Sequence, residues 1–497
     1  MIQNISLDNF KTFKNLDNLS FKPITIFCGS NSCGKSTILQ NILLLKQSLE
    51  SKNSDQTILL NGKLVHLGSF ENIIYQRELE NEITFHFKFK YKDFQSRTFR
   101  SFVMDWANID NSNVEYVLID YKVTLKSNKS SVPSSAFLKP VKILQVKFST
   151  DFKLKNGEIK KGPDFYIKHL KDELYSILWN NLHSDDIFME EDTNFESGEL
   201  QTKIRFANLC PVSFELDHEN NKYKIEVFVV LRPIMSISDI LRTLFETVTY
   251  IGPLREEPSR RYIYEDEIVE IGIKGENAAY IYLSEQDKNI YDHYFIKEDK
   301  FVKSKPTKLA DAMDNWLSYM GIKGLKPENN NEIIHINLQS SDSSKTRVSI
   351  ADVGFGVSQV FPIILEGLRM KKGNTLLLEQ PEIHLHPKLQ MQMADYLISL
   401  AMSKKNIVVE THSDHMINRL VRRIVEDESG KLNDLISIYF ITPSEEGSQY
   451  ESVVIDSNKG IVNWPEGFFD QNASEQEKII RAGIKKRASQ RNKEQKK

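Results

Sequence analysis

The chain has 497 residues, with 65 Lys+Arg against 68 Asp+Glu and a formal net charge of −3. That length supports a large core and two or more structural units, and near-neutrality excludes a whole-surface field that would gather nucleic acid or membrane, so any polyanion site must be local. Cys28, Cys33 and Cys210 are too few for a disulfide framework and lack metal-ligand spacing. Met1 to Ser6 carries no basic segment followed by an apolar core, and no apolar stretch is long enough to span a bilayer, so the sequence predicts a cytoplasmic protein with no membrane partner.

In chain order, Ile5, Leu7, Phe10 and Phe13 predict a strand-like start that leads to the apolar strand Ile24-Thr25-Ile26-Phe27. Directly after it, Gly29-Ser30-Asn31-Ser32-Cys33-Gly34-Lys35-Ser36 satisfies G-x-x-x-x-G-K-[ST] at every fixed position, and Thr37-Ile38-Leu39 opens a helix predicted to run to about Leu49. Such a loop wraps a triphosphate in backbone N–H groups, Lys35 neutralises the β/γ-oxygens, and the Ser36 hydroxyl can ligate Mg²⁺. The expected cofactors are ATP and Mg²⁺. Cys28 and Cys33 flank the loop and are expected to pack, the alternative being an oxidation-sensitive block of nucleotide binding.

Ile83, Phe85, Phe87, Phe89 and Tyr91 alternate with polar residues, and Val117 to Ile119, Val141 to Ile143 and Tyr223 to Leu231 are further predicted strands. The Ser-rich 127–135 and acidic 185–192 segments read as exposed connections. Ile167, Leu170, Leu174, Ile177 and Leu178 fall on one helical face, and Ile240, Leu241, Leu244 and Phe245 predict a second helix running toward Tyr250. Arg255, Arg260 and Arg261 with Tyr262 and Tyr264 form a basic, aromatic cluster that suits packing and salt bridges, or phosphates of ATP or DNA.

From about residue 333 strands and helices alternate again: Ile333 to Leu338, a helix after Ser358, Thr375 to Leu378, a helix from Lys388, and Ile407 to Val409. Thr375-Leu376-Leu377-Leu378-Glu379 is an apolar strand ending in a carboxylate, which makes Glu379 a metal candidate, and Ile407 to Glu410 is another that leads into Thr411-His412-Ser413-Asp414. His412 is the candidate sensor of a γ-phosphate.

Leu377 to Pro387 together with Glu410 to Asp414 resembles the ABC-type ATPases of the SMC and OLD (overcoming lysogenization defect) superfamily, and Asp352-Val353-Gly354-Phe355-Gly356-Val357-Ser358-Gln359 resembles its signature segment. Tyr250 to Glu256 and Trp464 to Asp470 resemble the bacterial anti-phage branch that includes the ATPase subunits of Septu and PARIS systems. The resemblance implies an α/β ATPase head formed by an N-terminal lobe (1–80) and a C-terminal lobe (336–470), separated by a β-rich and helical arm (81–335) and followed by a basic tail (471–497). It also implies a homodimer or higher oligomer in which two heads sandwich ATP, each phosphate loop facing Gly356, Ser358 and Gln359 of the other subunit. By position, Glu379 corresponds to the acid that holds Mg²⁺ through water and His412 to the switch histidine. Gln380 stands where many members carry the catalytic acid, and a glutamine orients water without taking its proton, so slow turnover is expected, with Glu382 the nearest replacement acid. His384 and His386 fall in a loop that the family places across the dimer interface, a better account of them than zinc ligation.

Lys478, Arg481, Lys485, Lys486, Arg487, Arg491, Lys493 and Lys497 make the strongly basic run, either a DNA- or RNA-binding segment or an exposed helical tail. No nuclease motif accompanies the ATPase pattern. The sequence motifs therefore read as an ATPase, and the resemblance implies that it assembles through its nucleotide sites and controls a separate effector, a nuclease, in phage defence. The alternatives are an ATP-gated scaffold without hydrolysis and an SMC-like DNA-repair ATPase.

Overall fold

The computed structural model describes residues 1–52, 56–92, 109–127, 141–182, 197–215, 224–257, 259–263, 270–330, 333–340, 343–352, 355–465 and 471–494. Two sheets carry the architecture. The first is antiparallel and contains β1 (Ile2–Phe10), β2 (Phe13–Ser20), β4 (Ile83–Tyr91), β5 (Val114–Ser127), β6 (Val141–Leu154), β7 (Ile159–Lys171), β8 (Leu174–Asn180), β9 (Ser197–Ala207) and β10 (Cys210–Glu215) in the order β10-β9-β8-β7-β6-β5-β4-β1-β2. This one sheet crosses the boundary expected near residue 80, because β1 pairs with both its hairpin mate and β4. Phe85, Phe87 and Phe89 of β4 are buried while Lys88 between them is exposed, so period-2 alternation gives the sheet one dry face.

The second sheet contains β3 (Ile24–Gly29), β11 (Val248–Ile251), β12 (Thr375–Glu379), β13 (Asn406–Glu410), β14 (Ile436–Ser444) and β15 (Gly447–Ser452), ordered β11-β12-β13-β3-β14-β15. The first five are parallel and β15 is antiparallel. Parallel strands need crossovers, supplied here by α1 (Lys35–Leu49), α2 (Lys224–Glu246), α3 (Phe355–Arg369), α4 (Pro387–Met402) and α5 (Asp414–Glu426). Both faces are covered, which explains why these strands read as unbroken apolar runs. Phe27, Leu377, Val408 and Ile441 pack toward α1, α2 and the antiparallel sheet, whereas Ile26, Leu378, Val409 and Phe440 pack toward α3, α4 and α5.

Two expected elements differ. The apolar positions 167, 170, 174, 177 and 178 belong to a hairpin, with Ile167 opposite Ile177 and Lys171 opposite Leu174, joined through Asp172 at φ 51°. Their helical spacing arises because the turn resets the alternation. Lys224 to Leu231, expected as part of a strand, opens α2, in which Ile234, Ile237, Ile240, Leu241 and Phe245 are buried on the face that packs beside α1, while Tyr223 lies outside the described residues. Most of the Ser-rich segment and all of 185–192 also lie outside them. The tail is helical over α6 (Gln471–Glu494), and its described side chains are exposed. No helix among the described residues is long and apolar enough to cross a membrane.

The C-terminal half is pinned by a buried ionic cluster. Asp395, fully buried on α4, accepts from Arg423 Nε at 2.7 Å, Arg419 Nε at 3.0 Å and the Tyr319 hydroxyl at 2.6 Å. Removing the acid strips Arg419 of its carboxylate and leaves buried Arg423 only the more exposed Asp299 and Glu426, so Asp395→Ala is expected to cost about 3 kcal/mol. Urea unfolding followed by circular dichroism checks this; a wild-type midpoint would refute it.

Candidate nucleotide site

The carboxyl ends of β12, β13 and β3 converge at one edge of the parallel sheet, where open α/β sheets bind ligands. Register aligns Glu379 with Glu410 and Glu410 with Phe27, two residues before the phosphate loop. The loop curls because Gly29 (φ 145°), Ser32 (φ 60°) and Gly34 (φ 105°) take left-handed backbone conformations. A Cβ on Gly29 would lie 2.2 Å from the Ile441 carbonyl oxygen, and one on Gly34 would lie 2.6 Å from Thr12 Oγ1 and 2.8 Å from Ser448 Oγ. Ser30, Asn31 and Ser32 are exposed at the rim, while Cys33, Lys35 and Thr37 are buried.

Lys35 Nζ donates to the carbonyls of Ser30 (2.6 Å) and Gly29 (3.2 Å) and lies 3.8 Å from Cys33 Sγ, so the ammonium stands inside the curl of the loop. Ser36 Oγ donates to Glu410 Oε1 at 3.0 Å. Thus the acid that reaches the loop serine directly is Glu410 and not Glu379, the one singled out from sequence. Burial raises the Glu410 carboxyl above its usual range, against the lowering effect of Ser36 and Lys35. Burial, and then the neighbouring Glu410, push Glu379 up to about 7, partly offset by Tyr250 and Arg255. Burial and then Lys35 lower His412, which favours its neutral imidazole.

Arg255 follows the packing alternative given for its cluster. It is 5 % exposed, and its guanidinium donates to the carbonyls of Glu379 (3.0 Å), Gln380 (2.9 Å) and Pro253 (3.2 Å), so it clamps the turn after β12 and does not face DNA. That turn is strained: Gln380 sits at φ 45° and His384 at φ 61°, and the Gln380 N–H is held by the Glu410 carbonyl at 2.8 Å. Glu382 is buried, is raised above its usual range chiefly by burial, and accepts the His412 backbone N–H at 2.6 Å, which ties the β12 turn to the β13 turn. Ser413 caps α5 through Met416 N–H and donates to Gln390 at 2.5 Å, fixing the segment that carries His412.

His384 and His386 are exposed, His386 capping α4 by accepting from Lys388 N–H at 3.3 Å. Gly356, at the start of α3, lies against this loop, since a Cβ there would be 3.8 Å from the His384 carbonyl oxygen. Ser358 and Gln359 are 8 % and 3 % exposed and turn their side chains into the chain's own interior, and Gly354 lies outside the described residues. Arg260 pairs with Asp352 at 2.8 Å; Tyr264 and the Tyr262 side chain are outside the described residues.

The donor set suits a nucleotide-bound divalent cation. Among the described residues no cluster of three His, Cys, Asp or Glu side chains could hold a metal alone. A hard cation that keeps several waters instead takes one hydroxyl, one or two carboxylates and phosphate oxygens. Ser36, Glu410 and Glu379 fit that pattern, and Glu410 Oε2 is buried without a hydrogen-bond partner.

With this geometry in view, the AAA ATPase domain family matches residues 1–417. The chain belongs to that family. A second family, described as a protein of unknown function (DUF3696), matches residues 433–479. No curated protein matches the chain. Among solved structures, the SMC head domain from Thermotoga maritima is 10% identical with a TM-score of 0.38, covering 91% of this chain and 99% of that one. The Smc head domain with an extended coiled coil bound to the C-terminal domain of ScpA, derived from Pyrococcus furiosus, is 12% identical with a TM-score of 0.34, covering 97% and 99%.

Gly34→Ala is expected to weaken ATP binding at least about tenfold, because the left-handed backbone and the Thr12 and Ser448 walls leave no room for a methyl group. Isothermal titration with ATP measures it; wild-type affinity would contradict the assigned loop geometry.

Proposed function

We propose that this ATPase-family chain binds and hydrolyses Mg-ATP, assembles through its nucleotide sites and uses that cycle to control a separate effector. The observation that carries the first part is the gathering of Lys35, Ser36, Glu410, Glu379 and His412 at the ends of three adjacent parallel strands. In this reading the loop N–H groups and Lys35 bind the β/γ-phosphates, and Ser36 with Glu379 holds the cation. Mg²⁺ would neutralise charge that develops on the phosphoryl oxygens. Neutral His412 can hydrogen-bond a γ-phosphate or the attacking water, Gln380 can orient that water, and Glu382 is the acid available to take its proton. The Arg255 clamp and the Glu382 bond to His412 N–H keep these groups at fixed separations.

Assembly through ATP is supported by the signature-like 352–359 segment and by the exposure of His384 and His386 beside Gly356, which offers a contact face next to the site. The nuclease effector and the anti-phage role rest on the motif resemblance alone, as does nucleic-acid contact by the basic α6. Gln380 favours a second reading, an ATP-gated scaffold that binds without appreciable turnover.

Lys35→Ala should abolish ATP binding, measured by titration; tight binding by this variant would overturn the site. Native mass spectrometry should show a larger assembly with ATP and Mg²⁺ together with phosphate release, whereas a nucleotide-independent mass without release would leave the scaffold. Glu382→Gln keeps the acceptor for His412 N–H and should lower turnover by about 100-fold or more without weakening ATP binding. Unchanged turnover would remove Glu382 from the role of base.

A further inference from the structure

We infer that Glu410 is a second metal-side carboxylate, so that the cation of bound nucleotide is held between Glu410 and Glu379 beside Ser36 and not by a single strand-end acid. This rests on the ATP-binding reading above and deepens it.

Three observations converge. β13 lies between the strand bearing Glu379 and the strand bearing the phosphate loop, so its last residue is the one placed midway between the other two metal-side groups. Ser36 Oγ, the hydroxyl that the loop offers to a cation, already points at Glu410, with 3.0 Å between Oγ and Oε1. Finally, Glu410 is 4 % exposed and its Oε2 has no hydrogen-bond partner. An unpaired carboxylate oxygen in a buried site is costly, and a second acid on the neighbouring strand adds repulsion. A residue needed only to steady Ser36 would gain nothing from the extra oxygen and the charge.

The nearby cations do not remove this cost. Lys35 spends its hydrogen bonds on the carbonyls of Gly29 and Ser30, and the Arg255 guanidinium donates to the backbone carbonyls of Glu379 and Gln380 and not to a carboxylate. The Tyr250 hydroxyl bonds Glu379. A divalent ion between the two acids would satisfy Oε2 and convert repulsion into chelation.

The test is Glu410→Gln, which keeps the side-chain size and an acceptor for Ser36 but removes the charge. Mn²⁺ serves as the probe, its binding to the ATP-loaded protein read by electron paramagnetic resonance, alongside ATP affinity measured in EDTA. The expected result is a Mn²⁺ half-saturation raised about tenfold or more, with metal-free ATP affinity equal to or tighter than wild type. Glu410→Asp, which retains a carboxylate on a shorter arm, should fall between. Wild-type Mn²⁺ affinity in Glu410→Gln overturns the inference, and loss of turnover with unchanged Mn²⁺ binding overturns it in favour of a role in proton transfer. If wild-type protein binds no ATP, the parent reading fails instead, and the two failures are thereby distinguished.

Discussion

The in-register pairing of β12, β13 and β3 is the constraint on which the site depends. Because parallel neighbours are fixed side by side, Glu379, Glu410 and the start of the phosphate loop arrive on one edge without any contact of their own having to pull them there. Strand side chains alternate with period 2, so a slip of one residue would turn an acid away from the edge and present an apolar neighbour such as Val409. The two cores packed against opposite faces of this sheet forbid that slip, since it would exchange Leu377 and Val408 with Leu378 and Val409 between surroundings shaped for each.

The charges at the edge show how a fold holds an arrangement that is locally unfavourable. Two buried acids, a left-handed Gln380 and a buried Arg255 would each destabilise an isolated segment. Backbone groups absorb all but the Glu410 carboxylate: Arg255 is spent on carbonyls, Glu382 accepts the His412 N–H, and the Gln380 N–H is held by the Glu410 carbonyl. The Arg255 bonds join the segment after β11 to the β12 turn, and the other two join the β12 turn to the end of β13, so polar links set all three segments relative to one another. Strain of this kind is stored where ligand chemistry can use it.

Much of this was legible in the sequence. Strand, loop and helix around Gly29 to Ser36 are encoded within a short window, and the apolar runs before Glu379 and Glu410 announce strands buried on both faces. What local pattern could not reveal was long-range partnership. Glu410 looks like the polar exit of a strand until β13 is seen to lie beside β3, and Arg255 looks like one of three surface arginines until its carbonyl partners on the β12 turn appear. The hairpin over β7 and β8 was hidden for a different reason: a turn through Asp172 lets two alternating strands mimic helical spacing. Lys224 to Leu231 misled through its β-branched and aromatic content, which tertiary packing beside α1 overrides further along the same helix.

The walls around Gly34 carry a consequence for biosynthesis. Thr12 comes from the first hairpin of the chain and Ser448 from one of the last, and the two are joined by a bond from Ser448 N–H to the Thr12 carbonyl at 2.7 Å. β3 likewise has neighbours only from the C-terminal half. A chain leaving the ribosome thus exposes its phosphate loop well before the strands and the Ser448 wall that complete the loop's surroundings. The loop's walls and flanking strands depend on both halves of the chain, so a fragment ending before β14 would present the loop sequence without the frame that shapes it.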